Sequence, residues 1–158
     1  MSDSVLIVAG NLCWGSDVST FVLEPSNNIQ VPMRQIWETR KQDDCYWVAL
    51  LPPISRGIAG LVGTVAGICF LRGFEGDWYE KVFGMVVREQ YRKLGIGTLL
   101  LQTAYVEACY RKLPLIRLHV HPDNKNAVSL YTKFGFIKHD TRTNGEWIMR
   151  KSCVQQSL

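Results

Sequence analysis

A short apolar run that passes directly into a glycine-containing turn is the feature that most constrains the fold of this chain. Residues 82–87 read Val-Phe-Gly-Met-Val-Val, which is typical of a strand, and Gly95 and Gly97 follow shortly after. Apolar residues then recur at helical spacing, at Leu100, Leu101, Ala104 and Ala108. The segment therefore predicts a strand, a tight turn and a helix that ends before Pro114.

A second strand and a second helix follow the first pair. Residues 115–121 alternate as a strand does, and Gly135 closes a short helix in the usual C-terminal position. A strand, a helix and a further strand over this length predict a right-handed crossover between parallel neighbours. The dipeptide Asn144-Gly145 predicts a hairpin turn between two last strands, near residues 136–140 and 146–151.

The first half of the chain contains two apolar runs that predict a hairpin. Residues 45–51 are rich in aromatic and branched side chains, and residues 61–71 form the second run. The proline- and glycine-rich residues 52–57 between them predict a loop, and residues 29–41 predict a helix. The apolar stretch 57–71 is too short for a membrane span and contains four glycines, so no membrane partner is expected.

The distribution of charge separates the two halves of the chain. Lys and Arg exceed Asp and Glu by four, but residues 1–80 carry 5 basic and 9 acidic side chains, whereas residues 81–158 carry 13 and 5. The basic residues form no run of five, which favours a phosphate-bearing ligand over a nucleic acid. A length of 158 residues without internal repeats predicts a single domain.

The cysteine content excludes two classes of small protein. The five cysteines are an odd number without a Cys-x-x-Cys pair, which argues against a disulfide framework and against a zinc site. The first residues lack the basic and apolar regions of a secretory signal. A reducing, cytoplasmic location is therefore expected.

The turn before the first predicted helix has the composition of a phosphate-binding turn. In Arg92-x-x-Gly95-x-Gly97, the glycines let the backbone approach a ligand, and the first N–H groups of the helix carry the positive end of its dipole. A dinucleotide fingerprint would need a third glycine where Leu100 stands, and a P-loop would need Gly-Lys-Ser/Thr. Two hypotheses stay open from these residues alone: a pyrophosphate site, or a tight turn that only permits close helix packing.

Two stretches of the chain resemble motifs of the GCN5-related N-acetyltransferase superfamily, over about residues 82–137. The first resembles its acetyl-CoA pyrophosphate motif and reads Val87-x-x-x-Tyr91-Arg92-x-x-Gly95-x-Gly97. The second reads Asn124-x-x-Ala127-Val128-x-Leu130-Tyr131-x-x-x-Gly135-Phe136. Residues 61–67 are similar to the superfamily's third strand, and residues 1–44 show no clear match.

The resemblance implies one N-acetyltransferase domain over residues 1–158, with a mixed, mostly antiparallel sheet, a splayed parallel strand pair and helices on both faces. It implies acetyl-CoA as co-substrate and no metal. Main-chain groups of Met85, Val86 and Val87 would bind the pantetheine arm. Asn124 would contact the arm from the other side of the splay. Arg92 would support the pyrophosphate, which would be held by the backbone N–H groups of Lys93, Leu94, Gly95, Ile96, Gly97 and Thr98.

Acetyl transfer to an amine needs an acid for the departing thiolate and a base for the amine. The resemblance assigns the acid role to Tyr131; the alternative is that Tyr131 only packs beside Leu130 and Phe134. Many relatives place a glutamate base on the strand that holds the pantetheine. This chain has Phe83 and Gly84 in that region, so the base must come from elsewhere.

His119 is the candidate base. It stands five residues before Asn124, where the subgroup that acetylates protein N-termini has Glu or His, and a histidine titrates near neutral pH. His119 and His121 share one face of their strand. For each of them the alternative is an ordinary strand histidine bonded to a polar neighbour. Only His139 could be the third ligand of a histidine metal site, so no metal is expected.

The sequence therefore predicts direct acetyl transfer to a primary amine in a ternary complex. The resemblance implies that no acetyl-enzyme forms. Cys69 and Cys109 are predicted to be buried thiols, which would be poor nucleophiles. Residues 1–44 are expected to build the acceptor side. Residues 141–146 form a short hairpin loop without the paired tyrosines usual in protein N-terminal acetyltransferases, which favours a small or unassigned amine. The alternatives are a protein N-terminal (or lysine) acetyltransferase acting on a peptide, and a non-catalytic module that binds a coenzyme A ester; the chain is expected to be a monomer or homodimer.

Overall fold

The structure, a computed structural model, describes residues 5–9, 44–57, 60–74 and 77–153. These residues form an α/β arrangement of strands and helices. In chain order the elements are β1 (Leu6–Ala9), β2 (Cys45–Gly57), β3 (Gly60–Phe74), β4 (Asp77–Val87), a 3₁₀ turn (Glu89–Tyr91), α1 (Ile96–Tyr110), β5 (Leu115–Val120), α2 (Lys125–Phe134), β6 (Ile137–Thr141) and β7 (Trp147–Ser152).

The strands of the described residues form one seven-stranded sheet with the order β1-β2-β3-β4-β5-β7-β6. β4 and β5 are parallel neighbours, and their register runs from Glu80 opposite Leu115 to Phe83 opposite Leu118. α1 connects these two strands, as the predicted crossover requires. The pairs β1–β2, β5–β7 and β6–β7 are antiparallel. The predicted mixed α/β fold with one parallel pair is confirmed.

The chain divides into two compact units, and the first comprises Met1–Phe70 and Met85–Thr103. Residues Val48, Ala49 and Leu50 of β2 are fully buried one after another, so this run is apolar throughout instead of alternating. The prediction of a single domain stays a prediction. In the described part of this unit, one core cluster consists of Val8, Val48, Leu50, Val65, Ile68 and Phe70.

Gly67 on β3 lies where β4 and α1 approach closely within the first unit. A Cβ built there would lie 2.9 Å from the carbonyl oxygen of Val86, 3.2 Å from Cγ2 of Val87 and 3.3 Å from Cδ1 of Leu100. The first of these neighbours is backbone, which cannot rotate away as a side chain can. Only glycine therefore fits at this position without moving the strands.

Gly67→Ala is expected to lower the free energy of unfolding by about 1–3 kcal/mol, because a methyl group would overpack this contact. Urea titration followed by circular dichroism measures the change. Thr64→Ala, at an exposed position of the same strand, is the matched control and should change stability by less than about 0.5 kcal/mol. Equal stabilities of the two variants would contradict the packing argument.

The second unit comprises Leu71–Gly84 and Ala104–Leu158. Alternate residues of β5, namely Ile116, Leu118 and Val120, are buried. The rings of Tyr105 on α1 and Phe134 on α2 meet edge to face, with centroids 5.6 Å apart. The hydroxyl of Tyr105 also donates to the carbonyl of Ser152 at 2.7 Å. These contacts attach the end of α1 to both α2 and β7.

Both described helices and the last hairpin agree with their predictions. Lys112 has a φ of 60° after the end of α1, before Pro114, and Gly145 has a φ of 89° in the hairpin turn. The helix predicted at residues 29–41 lies outside the described residues. No helix in the described ranges is long and apolar enough to cross a membrane. The predicted apolar face of α1 is buried at Leu100, Leu101, Ala104 and Ala108.

The loop predicted for residues 52–57 is wrong, because these residues continue β2 to Gly57. β1 pairs with β2 from Trp47 to Leu50, so Pro52 and Pro53 lie beyond the end of that ladder. A proline is tolerated where no partner on that side needs its N–H. Ile54 packs against the core of the first unit. Pairing geometry and this burial therefore outweigh the local turn signal.

Candidate active site

The turn between β4 and α1 is built by a short series of main-chain hydrogen bonds in the first unit. The N–H of Arg88 donates to the carbonyl of Ala66 at 2.9 Å, so the residue after β4 is still attached to β3. The N–H of Arg92 donates to the carbonyl of Glu89 at 3.2 Å and closes the 3₁₀ turn. The chain therefore leaves the sheet at a fixed point and reaches α1 after one short turn.

Just before α1, Lys93 and Gly95 have left-handed backbone conformations, with φ of 64° and 83°. Such residues in a turn point neighbouring N–H groups to one side and form an anion-binding concavity. The N–H of Leu99 donates to the carbonyl of Gly95 at 3.1 Å. Helix geometry leaves the N–H groups of the first turn without intrahelical partners, at the positive end of the dipole. The turn is therefore suited to an anion.

Two side chains fix the shape of this turn. Ile96 is 1% exposed and anchors the start of α1, whereas Leu94 is exposed. Nε of Arg92 donates to the carbonyl of Val87 at 2.9 Å, which braces the turn against the end of β4. This hydrogen bond was not predicted from the sequence. It is compatible with the predicted support of a pyrophosphate, because the bond uses only one of the five guanidinium N–H groups.

The donors of this turn suit a phosphate group. A Cβ built on Gly95 would meet no atom within 4 Å, so glycine is required there by its φ of 83° and the space beside it is open. Gly97 and Thr98 lie in the first turn of α1. Backbone N–H groups beside two basic side chains, Arg92 and Lys93, match phosphate oxygens, which are negative and accept hydrogen bonds.

The main-chain residues predicted to bind the pantetheine arm are the last three of β4. Met85, Val86 and Val87 are all half-buried, and Val86 packs against the core cluster of the first unit. Extended backbone of this kind presents N–H and carbonyl groups at regular spacing to a strand-like ligand. Packing holds this segment in place.

Tyr131 is positioned in the second unit by the two ends of α2. Oδ1 of Asn124 accepts the N–H of Ala127 at 3.3 Å, which makes Asn124 the N-cap of the helix. Gly135 ends the helix with a φ of 108°, and the N–H of Phe136 donates to the carbonyl of Tyr131 at 3.0 Å. The second motif of the sequence thus contains both caps of α2.

The ring of Tyr131 is 7% exposed and packs edge to face against two phenylalanines. The centroid distances are 6.3 Å to Phe83 and 5.9 Å to Phe136. These neighbours differ from the Leu130 and Phe134 of the packing hypothesis. The packing of the ring fixes the direction of the phenol, and the acid role stays a prediction.

His119 lies on β5 and is half-buried. Its Nδ1 is 3.2 Å from Nη1 of Arg142. Burial lowers the pKa of His119 most, followed by the positive charges of Arg142 and Arg117, while Glu146 raises it. The lowered pKa favours the neutral imidazole, which is the form that a base needs before it accepts a proton.

His121 lies beyond the end of β5 and has a local role. Its Nδ1 accepts the N–H of Asp123 at 3.2 Å, within the turn that leads to α2. This contact agrees with the alternative of an ordinary histidine bonded to a polar neighbour. Within the described ranges, no three His, Cys, Asp or Glu side chains are grouped so that they could hold a metal ion.

The two cysteines considered as nucleophiles differ in burial. Cys69 is fully buried, as predicted, and its thiol donates to the carbonyl of Leu100 at 3.6 Å. Burial strongly raises the pKa of Cys69, which makes it a poor nucleophile. Cys109 is only half-buried, so the prediction of a buried thiol is wrong for it. The helix face that contains it is not completely covered.

Arg142, a neighbour of the candidate base, was not predicted from the sequence. It reaches His119 from the β6–β7 hairpin, 23 residues away in the sequence. In the sequence, residues 141–146 are notable only for their short length and lack of tyrosines. The sequence could have indicated the ion pair between Arg142 and Glu146, because these residues are four apart and of opposite charge. It could not have indicated the contact with His119.

The described residues form an α/β fold of the class in which a strand passes through a glycine-containing turn into a helix. The acetyltransferase (GNAT) family model matches residues 16–136. The chain belongs to this family, as its resemblance in sequence predicted.

Solved structures of similar fold agree with this assignment. A GNAT acetyltransferase from Streptococcus pneumoniae has a TM-score of 0.73 and 19% identity, and the match covers 94% of this chain and 98% of that chain. A protein from Salmonella typhimurium solved with its cofactor acetyl-CoA has a TM-score of 0.69, 14% identity, and coverage of 98% and 97%. The ribosomal-protein-S18-alanine N-acetyltransferase from Escherichia coli has a TM-score of 0.68, 15% identity, and coverage of 96% and 97%. At these identities the likeness shows the fold.

Proposed function

We propose that this chain is an acetyl-CoA-dependent N-acetyltransferase that transfers the acetyl group directly to a primary amine while both substrates are bound. The observation that carries the proposal is the turn between β4 and α1, where Lys93 and Gly95 have φ of 64° and 83° at a helix N-terminus. Family membership and the acetyl-CoA of the Salmonella typhimurium protein support the choice of co-substrate.

The binding roles follow from the donors and acceptors of each segment. Backbone N–H groups of residues 93–98 hold the pyrophosphate, and Arg92 adds positive charge beside it. Main-chain groups of residues 85–87 bind the pantetheine arm as a neighbouring strand would. Asn124 contacts the arm through its amide nitrogen, whose two N–H donors are not used by the cap bond from Ala127 N–H to Oδ1.

The reaction requires two proton transfers. The amine nitrogen attacks the thioester carbonyl, so that a C–N bond forms and the C–S bond breaks. His119 takes the proton of the amine, directly or through a water, and Tyr131 donates its phenol proton to the departing thiolate. The buried Cys69 forms no acetyl-enzyme because its thiol is not ionised.

The acceptor class that we propose is a small amine. The loop between β6 and β7 is short, and the N–H of Arg142 donates to the carbonyl of Glu146 across it at 2.7 Å. A loop closed in this way gives little surface on which a polypeptide could lie. Residues 1–44, apart from the few that the structure describes, are proposed to complete the acceptor side.

Amine-dependent cleavage of acetyl-CoA tests the function. Purified protein is incubated with acetyl-CoA and a panel of small primary amines and peptides with free N-termini. Coenzyme A is quantified by chromatography, because the protein's own cysteines would react with a thiol reagent, and mass spectrometry identifies the acetylated product. We expect coenzyme A release with a small amine that exceeds release without an amine. Binding of acetyl-CoA without amine-dependent release across the panel would support a non-catalytic module and overturn the proposal.

A further inference from the structure

The hairpin between β6 and β7 places one guanidinium against His119. Nη1 of Arg142 lies 3.2 Å from Nδ1 of His119 and 2.8 Å from Oε2 of Glu146. A guanidinium can donate hydrogen bonds but cannot accept them. In this contact Nδ1 of His119 is therefore the acceptor, and the proton of the neutral imidazole is on Nε2.

Main-chain hydrogen bonds of the hairpin hold Arg142 and Glu146 in place. The N–H of Gly145 donates to the carbonyl of Arg142 at 2.9 Å, and the N–H of Glu146 donates to Oδ1 of Asn144 at 3.1 Å. His119 on β5 lies opposite Ile148 on β7, two residues after Glu146. The sheet register and the turn therefore bring the three side chains together from separate segments.

The charged groups around His119 come from β5, β7 and the hairpin. Arg117 on β5, Arg150 on β7 and Arg142 in the hairpin are positive, and Glu146 in the hairpin is negative. All three arginines lower the pKa of His119, with Arg142 first among them, while Glu146 raises it. Arg142 also touches the imidazole through a hydrogen bond. Among these charged groups, Arg142 therefore has the largest effect on the pKa of His119, and it also forms a hydrogen bond to Nδ1.

We propose that Arg142 is a positioning residue that holds His119 neutral, with its proton on Nε2, and releases Nδ1 when His119 accepts the proton of the amine. The lone pair of the neutral ring is on Nδ1, so the new N–H bond forms there. The N–H bond of the amine breaks and its electron pair stays on nitrogen. Arg142 keeps its bond to Glu146 while Nδ1 is protonated. The catalytic part of this proposal rests on the proposed function.

Titration of the histidines by NMR tests the proposal without any need for activity. The signal of His119 is assigned by its loss in His119→Gln, and His139 is an internal control in every sample. We expect Arg142→Gln to raise the titration midpoint of His119. Glu146→Gln should lower it, because the opposing negative charge is removed. Arg142→Lys keeps a positive charge and should leave the midpoint closer to that of the wild type.

Arg150→Gln is the matched control, since it removes a nearby positive charge. We expect it to raise the midpoint of His119 less than Arg142→Gln does. In the activity assay, the acidic limb of kcat/KM should move with the NMR midpoint in each variant. The proposal would be overturned if the titration midpoint of His119 were unchanged in Arg142→Gln, or if it shifted equally in Arg142→Gln and Arg150→Gln. It would also be overturned if the midpoint moved while the acidic limb of kcat/KM did not. Absence of turnover in the wild type would instead count against the proposed function, and the NMR comparison would still decide whether Arg142 controls His119.

Discussion

Replacing Tyr131 by phenylalanine is expected to lower kcat by about 100-fold if protonation of the departing thiolate limits the rate. Phenylalanine keeps the ring that packs against Phe83 and Phe136. The fold and the binding of acetyl-CoA should therefore be retained while the proton donor is lost. Steady-state kinetics with the acceptor found in the amine panel measure the effect.

Tyr105→Phe is the matched control for this prediction. It removes a phenol hydroxyl from the same unit, where that hydroxyl donates to the carbonyl of Ser152 at 2.7 Å. The lost hydrogen bond should cost about 1 kcal/mol of stability. Turnover should be unchanged, because Tyr105 has no proposed role in catalysis. A wild-type kcat in Tyr131→Phe, or an equal loss of kcat in both variants, would contradict the acid role and leave Tyr131 with a packing role only.

Gly97→Glu is expected to abolish the stabilisation of the protein by acetyl-CoA. At a ligand concentration about 100 times Kd, binding contributes about 2.7 kcal/mol, which raises Tm by roughly 5–10 °C for a chain of this size. Gly97 is in the first turn of α1, so a carboxylate there repels the pyrophosphate and competes for the same N–H groups. Differential scanning fluorimetry with and without acetyl-CoA measures the rise in Tm.

The Gly97→Glu protein should still fold, because a negative side chain in the first turn is favourable to the helix dipole. Val106→Glu is the matched control. It adds the same carboxylate to α1 at a position that is 62% exposed, and it should leave the rise in Tm intact. If acetyl-CoA raised the Tm of a folded Gly97→Glu protein as much as that of the wild type, the turn would not be part of the binding site.

The helices could be located from the sequence because their signals are local. α2 starts after Asn124 and ends before Gly135, and both caps act on backbone groups within a few residues. The parallel pair β4–β5 could be predicted for a similar reason, since a strand, a helix and a strand in succession allow few connections. The composition of the turn was also visible, because its two glycines and two basic residues lie within residues 92–97.

Residues 52–57 show where local signals fail. Two prolines and a glycine predict a loop, but the end of the β1–β2 ladder at Leu50 lets the prolines continue a strand. The position at which the β1–β2 ladder ends is decided by β1, another segment of the chain. The composition of residues 52–57 does not contain that information.

The features of the candidate site also fall into two groups, those that depend on local sequence and those that depend on tertiary structure. The sequence by itself determined the glycine turn and the caps of α2, because each depends on residue type and short spacing. The fold class and the candidate roles of Tyr131 and His119 came from the resemblance of two short motifs to the superfamily. Only the tertiary structure placed Phe83 against Tyr131 and Arg142 against His119. Sheet register and hairpin geometry create these contacts between distant residues. The ring nitrogen of His119 that holds the proton, and the ease with which it accepts another, depend on those contacts and on burial.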